Sequence, residues 1–385
     1  MTALTKAATV QSIISNTVFT NCNAHTKNVF SQLKKCRTGA LGYHLYKCTD
    51  EPCGQLKYVY HSCRNRHCPG CGGMQQAQWI DDRRAELLPV NYYHVVFTLP
   101  HALNSIILGN RAPLFKLLFD AGSKTLLQFA ADKKYPGATP GIISVLHTWG
   151  QQLSFHPHIH CIVSGGGIAC NKNNKTTVWK NGTRNADGFL FPVKAMAQVY
   201  KAIFIKGARA LINADKITLI DKNATLQLLQ TLYEKEWVVY AKEPFAGPLQ
   251  VVEYLSRYTH KIAINNNRIL SSDDDTVTFK YKDYADKNMP KTMTLSKQEF
   301  LRRFEQHILP KHFCKIRTTG YLANRGRTER LKIICALMQI PPHPAKIKTP
   351  WQVRLLEQFK VVFNECPCCK KQTLQLIAVT FADDG

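Results

Sequence analysis

The chain has 385 residues, of which 45% are hydrophobic, so it can bury a large core over two or three domains and is not intrinsically disordered. No run of 18 apolar residues indicates a membrane span, and the first 20 residues lack the charged and then apolar pattern of a signal peptide, which predicts a cytoplasmic protein. Lys and Arg number 51 against 26 Asp and Glu, and this net charge of +25 indicates nucleic acid as a partner, with a generally basic, solvated surface as the alternative.

The first predicted unit is a cysteine-rich module over residues 1–88, because six of the 14 cysteines lie between residues 36 and 71. A cytoplasmic chain is kept reduced, which favours metal binding over disulfides. Two cysteine pairs on short loops predict a zinc ribbon, and the remaining Cys and His residues predict a second closed zinc site. The alternative for each site is a set of buried thiols without metal. The ribbon ligands are Cys48, Cys53, Cys68 and Cys71, and those of the second site are Cys36, His44, Cys63 and His67. Closed sites have no open coordination position, so we expect the module to serve architecture and DNA contact.

Helices and strands are predicted to follow in mixed order. Residues 79–90 have the pattern of a short helix, and the aromatic and β-branched run over 91–101 predicts a strand. The apolar spacing over 112–134 predicts a helix, and GIISVLHTW (141–149) predicts another strand.

A histidine-containing strand is predicted at HIHCIVSGGG (158–167). Alternate side chains of a strand share a face, so His158 and His160 project on one side while Ile159 packs into the core. This pair can hold a metal ion, although such a motif taken alone is equally consistent with a structural or surface role. His156 has the same parity, but we expect Pro157 to break or begin the strand, which makes His156 only a neighbour of the ligands. The candidates for a third ligand are Gln151 and Gln250, and each could also be an ordinary hydrogen-bonding glutamine.

A tyrosine-containing helix is predicted further along the chain. After a polar loop (171–187) and helical patterns over 191–214 and 224–242, residues 247–261 predict a short helix. Tyr254 and Tyr258 are four residues apart and therefore share one face of it, although two aromatic residues packed into a core would show the same spacing. Candidate phosphate contacts beside them, with a solvated helix end as the alternative, are Arg257, His260 and Lys261.

The C-terminal region is predicted to contain short strands over 262–284 and then a strongly basic segment. Residues 301–360 carry 13 basic and 3 acidic side chains, and the loop with Arg325 and Arg327 is expected to contact the DNA backbone. A further zinc site here would need partners brought together by folding. Its candidate ligands are Cys366, Cys368 and Cys369, completed by Cys314 or Cys335.

Strands mixed with helices without a regular βαβ repeat predict an α+β fold, with a central antiparallel sheet flanked by helices. The expected domains are the zinc module (1–88), a catalytic domain with the sheet and the tyrosine helix (89–265) and a basic, DNA-contacting strand and helix region (266–385).

The ordered motifs of the chain resemble one family. They are CRTGALGYH, YHSCRNRHCPGC, FTLPH, HTWGQQLSFHPHIHCIVSGGG and YLSRYTHKIAI, and they cover roughly residues 30 to 270. In this order they resemble the IS91-type transposases of the two-tyrosine HUH endonuclease superfamily. The C-terminal third resembles the family less distinctively.

The resemblance implies a rolling-circle type of DNA transposition in the bacterial cytoplasm. Tyr254 and Tyr258 would attack single-stranded DNA to give a 5′-phosphotyrosine and a free 3′-hydroxyl, and His158 and His160 would hold a catalytic Mg²⁺ or Mn²⁺ ion. Zinc would be structural, at two sites in the N-terminal module.

Two other functions fit parts of the pattern. A metal-dependent hydrolase would use the histidines to activate water and would need further His or Asp ligands on later strands, where none are obvious. A non-catalytic zinc protein that binds DNA would give the histidine pair and the tyrosine pair no reason to face each other.

Overall fold

The structure is a computed structural model that describes residues 8–15, 17, 22–170, 176–182, 190–242, 250–251, 254, 262–284, 286–343 and 349–382. Within these ranges, no helix is both long enough and apolar enough to cross a membrane. Its strands pair antiparallel and helices flank them, which confirms the predicted α+β class.

The elements follow the chain in three groups. The N-terminal group contains α1 (Val10–Ser15), α2 (Ala24–Lys35), β1 (Gly42–Cys48), β2 (Leu56–Tyr60) and α3 (Gly73–Arg84). The middle group contains β3 (Tyr92–Thr98), α4 (Asn104–Gly109), α5 (Arg111–Ala131), β4 (Thr139–Trp149), β5 (Phe155–Cys170), β6 (Thr177–Asn181), α6 (Val193–Asn213), α7 (Lys222–Glu234) and β7 (Val239–Lys242). The C-terminal group contains β8 (Ile269–Ser272), β9 (Thr276–Asp283), β10 (Met289–Ser296), α8 (Lys297–Glu305), β11 (Ile316–Gly320), α9 (Arg327–Leu337), α10 (Trp351–Phe359) and β12 (Leu374–Phe381).

A six-stranded sheet lies at the centre of the molecule, with the order β11-β4-β5-β3-β7 and β6 paired to the far end of β5. On one face, Phe97 of β3 and Ile159 of β5 are fully buried in the core formed with α5 and α6. Helix α5 approaches closely at Gly122, where a β-carbon would lie 2.6 Å from Ile159 Cδ1. Because side chains alternate along a strand, the neighbouring residues His158 and His160 point to the opposite face.

Two three-stranded sheets complete the fold, with the orders β12-β1-β2 and β10-β9-β8. The second packs against α1, α2 and α8 through a core that includes Phe30, Phe279 and Phe300. The C-terminal third thus supplies β11 to the central sheet and β12 to the N-terminal sheet, so the last strand lies beside the first.

Three local expectations differ from the structure. Strand β5 does not stop at Pro157: His156 and Pro157 together face Thr148, between the pairs Trp149–Phe155 and His147–His158. This bulge accommodates a residue that has no N–H to donate to the ladder. The predicted polar loop contains β6, and the helical pattern over 224–242 ends in strand β7.

Candidate active site and metal centres

Three imidazoles meet on the face of the central sheet that lies opposite α5 and α6. His147 of β4 is the direct neighbour of His158 on β5, and His160 follows two residues later. We name His147, His158 and His160 the histidine cluster; their candidate ligand nitrogens all lie within 4.8 Å of one another. The Nε2 atoms of His158 and His160 are 3.1 Å apart, close to the spacing of two nitrogens that share one ion about 2.1 Å away.

The hydrogen bonding of His158 fixes its tautomer. Its Nδ1 atom lies 2.7 Å from the carbonyl oxygen of His156, and because a carbonyl only accepts, the proton is on Nδ1. Burial lowers the pKa of His158 to about 4, so the ring is neutral at pH 7. Its Nε2 atom therefore presents a lone pair to the cluster, as a metal ligand must.

The hydroxyl of Tyr254 is connected to the histidine cluster through His94. Tyr254 Oη lies 3.3 Å from Nδ1 of His94, and Nε2 of His94 lies 2.9 Å from Nδ1 of His160. His94 is on β3, next to β5, and only 1% of its surface is exposed. A single imidazole therefore bridges a candidate nucleophile and a candidate metal ligand.

One predicted third ligand, Gln151, bonds to a residue outside the cluster, and the role of Gln250 stays a prediction. Gln151 lies in the turn beyond β4 and donates from Nε2 to the hydroxyl of Tyr284 (2.8 Å), and Gln250 is exposed. The third imidazole is His147, a residue that the sequence pattern does not single out. The other predicted residues of the tyrosine helix lie outside the described residues: Tyr258, Arg257, His260 and Lys261.

His94 is likewise not indicated by the spacing of residues along the chain. His94 interrupts the apolar strand YYHVVF and His147 interrupts SVLHTW. A histidine within an otherwise apolar strand is the sequence feature that could have indicated each of them. Only the pairing of the strands shows that these positions lie beside His158 and His160.

One group of thiols lies within the N-terminal module. We name Cys36, Cys63, Cys68 and Cys71 the first thiol cluster. Its sulfur atoms are 3.5 Å apart for Cys36 and Cys71, 3.6 Å for Cys36 and Cys68 and 3.7 Å for Cys63 and Cys71. Hydrogen bonds from the Cys63 and Cys68 thiols lower the pKa of Cys36, so a thiolate is favoured at that position.

Another group of thiols joins the two ends of the chain. We name Cys48, Cys53, Cys366 and Cys369 the second thiol cluster. The sulfur atoms of Cys48 and Cys369 are 3.7 Å apart, as are those of Cys53 and Cys366.

These groups differ from the expected ligand sets. The Cys48–Cys53 and Cys68–Cys71 loops, which were assigned to one ribbon, belong to different clusters. The pairing of β12 with β1 brings Cys366 and Cys369, which precede β12, to Cys48 and Cys53. Neither expected histidine joins a cluster. His44 pairs through Nδ1 with Nε2 of His61 (2.9 Å), and His67 Nε2 accepts from the backbone N–H of Leu309 (3.0 Å).

The remaining C-terminal cysteines lie outside both clusters. Cys314 and Cys368 are exposed, and Cys335 is a buried residue of α9. The expected site that combined Cys314 or Cys335 with the C-terminal pair is therefore not assembled.

A cleft of about 670 Å³ lies between the first thiol cluster and the turn after β4, and we name it the basic cleft. Its lining includes Arg64, Arg66, Arg268, Lys315 and Trp149, and the described residues that line it include no acidic side chain. Trp149 stacks on His147 with the ring centroids 4.5 Å apart, so the cleft adjoins the histidine cluster.

The predicted backbone contacts of the C-terminal loop differ in their surroundings. Arg325 is exposed, as a DNA contact would be. Arg327 is partly buried and is held by Glu86, with 3.3 Å between Nη1 and Oε2, and by a hydrogen bond to the carbonyl of Leu322.

Known proteins similar to this chain span most of its length. Residues 7–99 match the family described as Transposase zinc-binding domain, and residues 141–330 match the family described as Putative transposase. A Sinorhizobium fredii protein named as a putative transposase is 39% identical over 374 residues, which are 94% of this chain and 91% of that protein. The transposase for insertion sequence element IS801 of Pseudomonas savastanoi pv. phaseolicola is 29% identical over 322 residues, which are 82% of this chain and 74% of that protein. No solved structure matches the chain.

Proposed function

We propose a DNA strand-transfer chemistry for this chain, which belongs to the IS91 family of transposases and has an N-terminal transposase zinc-binding domain. In it, the Tyr254 oxygen attacks a phosphodiester of single-stranded DNA, the bond from phosphorus to O3′ breaks, and a 5′-phosphotyrosine and a 3′-hydroxyl form. The phenol proton passes to solvent and the departing O3′ takes up a proton. A 3′-hydroxyl of another strand then reverses the step, so strands are rejoined without ATP, as in rolling-circle transposition. Tyr258 is assigned the second covalent attachment.

The observation that carries this proposal is the hydrogen-bonded path from Tyr254 through His94 to His160. Tyr254 also packs against a buried apolar cluster, and a core tyrosine needs one partner for its hydroxyl, but it does not need that partner to continue to a candidate metal ligand. A hydrolase that activates water would not need a phenol at its end, which disfavours that alternative.

The same path gives His94 a defined role. When Nε2 of His160 acts as a lone-pair donor within the cluster, its proton is on Nδ1 and is donated to Nε2 of His94. Neutral His94 then carries its own proton on Nδ1, which faces Tyr254 Oη. An N–H aimed at the phenol oxygen stabilises the negative charge on that oxygen, both when the phenolate forms and when it leaves in the reverse step.

The donor set suits a divalent cation. His158 already has the neutral tautomer with its Nε2 lone pair directed at the cluster, and Nδ1 of His160 has the outer partner that metal-ligating histidines usually have. Mg²⁺ or Mn²⁺ at this position would polarise the scissile phosphate and offset the charge that develops on it. At the first thiol cluster, sulfur separations of 3.5 to 3.7 Å fit a structural Zn²⁺ ion, whose tetrahedral ligands lie about 3.8 Å apart.

The basic cleft is the proposed path of the DNA strand. Its Arg and Lys side chains would attract phosphates, and Trp149 would offer a surface on which a base can stack. Through Trp149 the cleft adjoins the histidine cluster, so a strand bound there would bring a phosphate towards the proposed metal position.

The decisive experiment is covalent capture. The full-length protein is incubated with Mn²⁺ and a single-stranded oligonucleotide that carries a transposon end, and a protein–DNA adduct stable in SDS is expected. Tyr254→Phe and Tyr258→Phe should each lower the yield, whereas Tyr233→Phe, an exposed residue of α7, should not. Cut DNA without adduct would support the hydrolase, and binding without cleavage would support a DNA-binding module.

A further inference from the structure

We infer that the second thiol cluster holds a Zn²⁺ ion that fastens the C-terminal segment to the N-terminal sheet. The matched zinc-binding domain ends at residue 99, so two of the four ligands, Cys366 and Cys369, come from outside it. The inference is independent of the tyrosine chemistry proposed above.

The geometry of the four sulfur atoms fits one tetrahedral ion. All four lie within 4.8 Å of one another, and two pairs are separated by 3.7 Å. Four sulfurs at about 2.3 Å from zinc lie about 3.8 Å apart, whereas a disulfide requires about 2.05 Å. Cys48 and Cys366 are almost completely buried, with 2% and 0% of their surfaces exposed.

Each pair of ligands is presented by a tight turn. The backbone N–H of Cys53 donates to the carbonyl of Asp50 (2.8 Å), and the N–H of Lys370 donates to the carbonyl of Cys366 (3.0 Å). An ion pair joins the two turns, since Lys371 Nζ lies 2.9 Å from Asp50 Oδ1. Two short loops that converge on one point are the usual framework of a closed zinc site.

The ligands and the strand pairing form one unit. Cys48 is the last residue of β1 and lies opposite Leu374, the first residue of β12. Beyond these strands, the N–H of Thr49 donates to the carbonyl of Thr373 (2.9 Å). A two-stranded hairpin such as β1–β2 is marginally stable alone, so binding of the ion and addition of the third strand should be coupled.

The first test is metal content of the purified full-length protein. Cys366→Ser combined with Cys369→Ser should remove one zinc equivalent per chain relative to the wild type. The matched control is Cys314→Ser, because Cys314 is exposed and lies outside the cluster, and it should keep the wild-type zinc content. An unchanged zinc content in the double variant would overturn the inference.

The second test uses the unaltered protein and so does not depend on whether the variant folds. Under native conditions an alkylating reagent should modify Cys368 quickly and spare Cys366 and Cys369 until a chelator removes the zinc. Equal reactivity of the three cysteines, or two disulfides within the cluster in protein purified under reducing conditions, would contradict the inference.

The third test locates the effect of the ion. In the double variant, hydrogen exchange of the β1 and β12 amides should accelerate at least tenfold, while that of β3 and β5 should stay unchanged. Unchanged protection of β12 would show that the ion does not fasten it.

Discussion

His94 is constrained from two sides, by Nδ1 of His160 and by the hydroxyl of Tyr254. His94→Phe keeps a buried ring but leaves both partners without their hydrogen bond. We expect the rate of covalent adduct formation to fall roughly 10-fold to 100-fold, as is typical for the outer partner of a metal ligand. Single-turnover kinetics with labelled oligonucleotide measures this. His101→Phe, a substitution of an exposed histidine, is the control, and equal rates for the two variants would remove His94 from the mechanism.

His147 should be the third ligand of the catalytic ion. His147→Ala is expected to weaken Mn²⁺ binding by at least about tenfold, because even changes to outer partners of ligands cost that much. Calorimetric titration of the protein with Mn²⁺ provides the affinity. Gln151→Ala serves as the control because its side chain is held by Tyr284 and not by the cluster, so its affinity should match the wild type.

The difference between predicted and missed histidines has a simple physical origin. His158 and His160 share a strand, and the two-residue period of any strand places them on one face without knowledge of neighbours. His147 and His94 belong to other strands, and their contacts depend on register. A single residue of slip would turn either imidazole to the opposite face of the sheet.

At the scale of elements, the sequence predicts most of the central sheet and its covering helices. The strands around His94 and His158 and the helices α5 and α6 correspond to predicted segments because their apolar periodicity is long and regular. The bulge at Pro157 was not predicted, since it depends on how β4 pairs with β5. Short strands such as β6 carry too few residues for a pattern to emerge from a polar segment.

The basic cleft can be tested through Arg64, which lies on its rim and is exposed. Arg64→Gln should weaken single-stranded DNA binding and reduce the slope of log affinity against log salt by about 0.7, the value for one phosphate contact. Fluorescence anisotropy at several salt concentrations gives both quantities. Lys124→Gln changes an exposed lysine of α5, on the far side of the sheet, and should leave the slope as it is in the wild type.

For the whole molecule, His307 should make stability depend on pH. Burial lowers the pKa of His307 to about 4, and the ring is held between the Thr148 hydroxyl and the carbonyl of Leu153. The unfolded chain binds a proton near pH 6.5 and the folded chain only near pH 4, so this contribution is complete above pH 6.5 and is lost as pH falls towards 4. At about 1.4 kcal/mol per pKa unit, it amounts to roughly 3 kcal/mol.

Denaturant unfolding of His307→Gln between pH 7 and 4 measures that contribution. The variant should lose less free energy of unfolding over this range than the wild type does. His312→Gln replaces an exposed histidine and should retain the full wild-type pH dependence. Parallel curves for wild type and His307→Gln would contradict the prediction.

The grouping of the cysteines depends on contacts between the two ends of the chain. The spacing of Cys48 and Cys53, and of Cys366 and Cys369, identifies two loops suited to metal binding. Spacing alone does not say which loops meet, because the partners are more than 300 residues apart in sequence. That information comes only from the pairing of β12 with β1.

Because β12 pairs with β1, the ribosome synthesises the N-terminal hairpin β1–β2 long before the third strand of its sheet. At about 5 to 20 residues per second, the interval between residue 48 and residue 374 is on the order of half a minute. During that time the edge of β1 has no partner strand, and the thiols of Cys48 and Cys53 lack the other two cysteines of the second thiol cluster. A product of premature termination would keep this edge exposed permanently and should be a preferred substrate for proteases and chaperones.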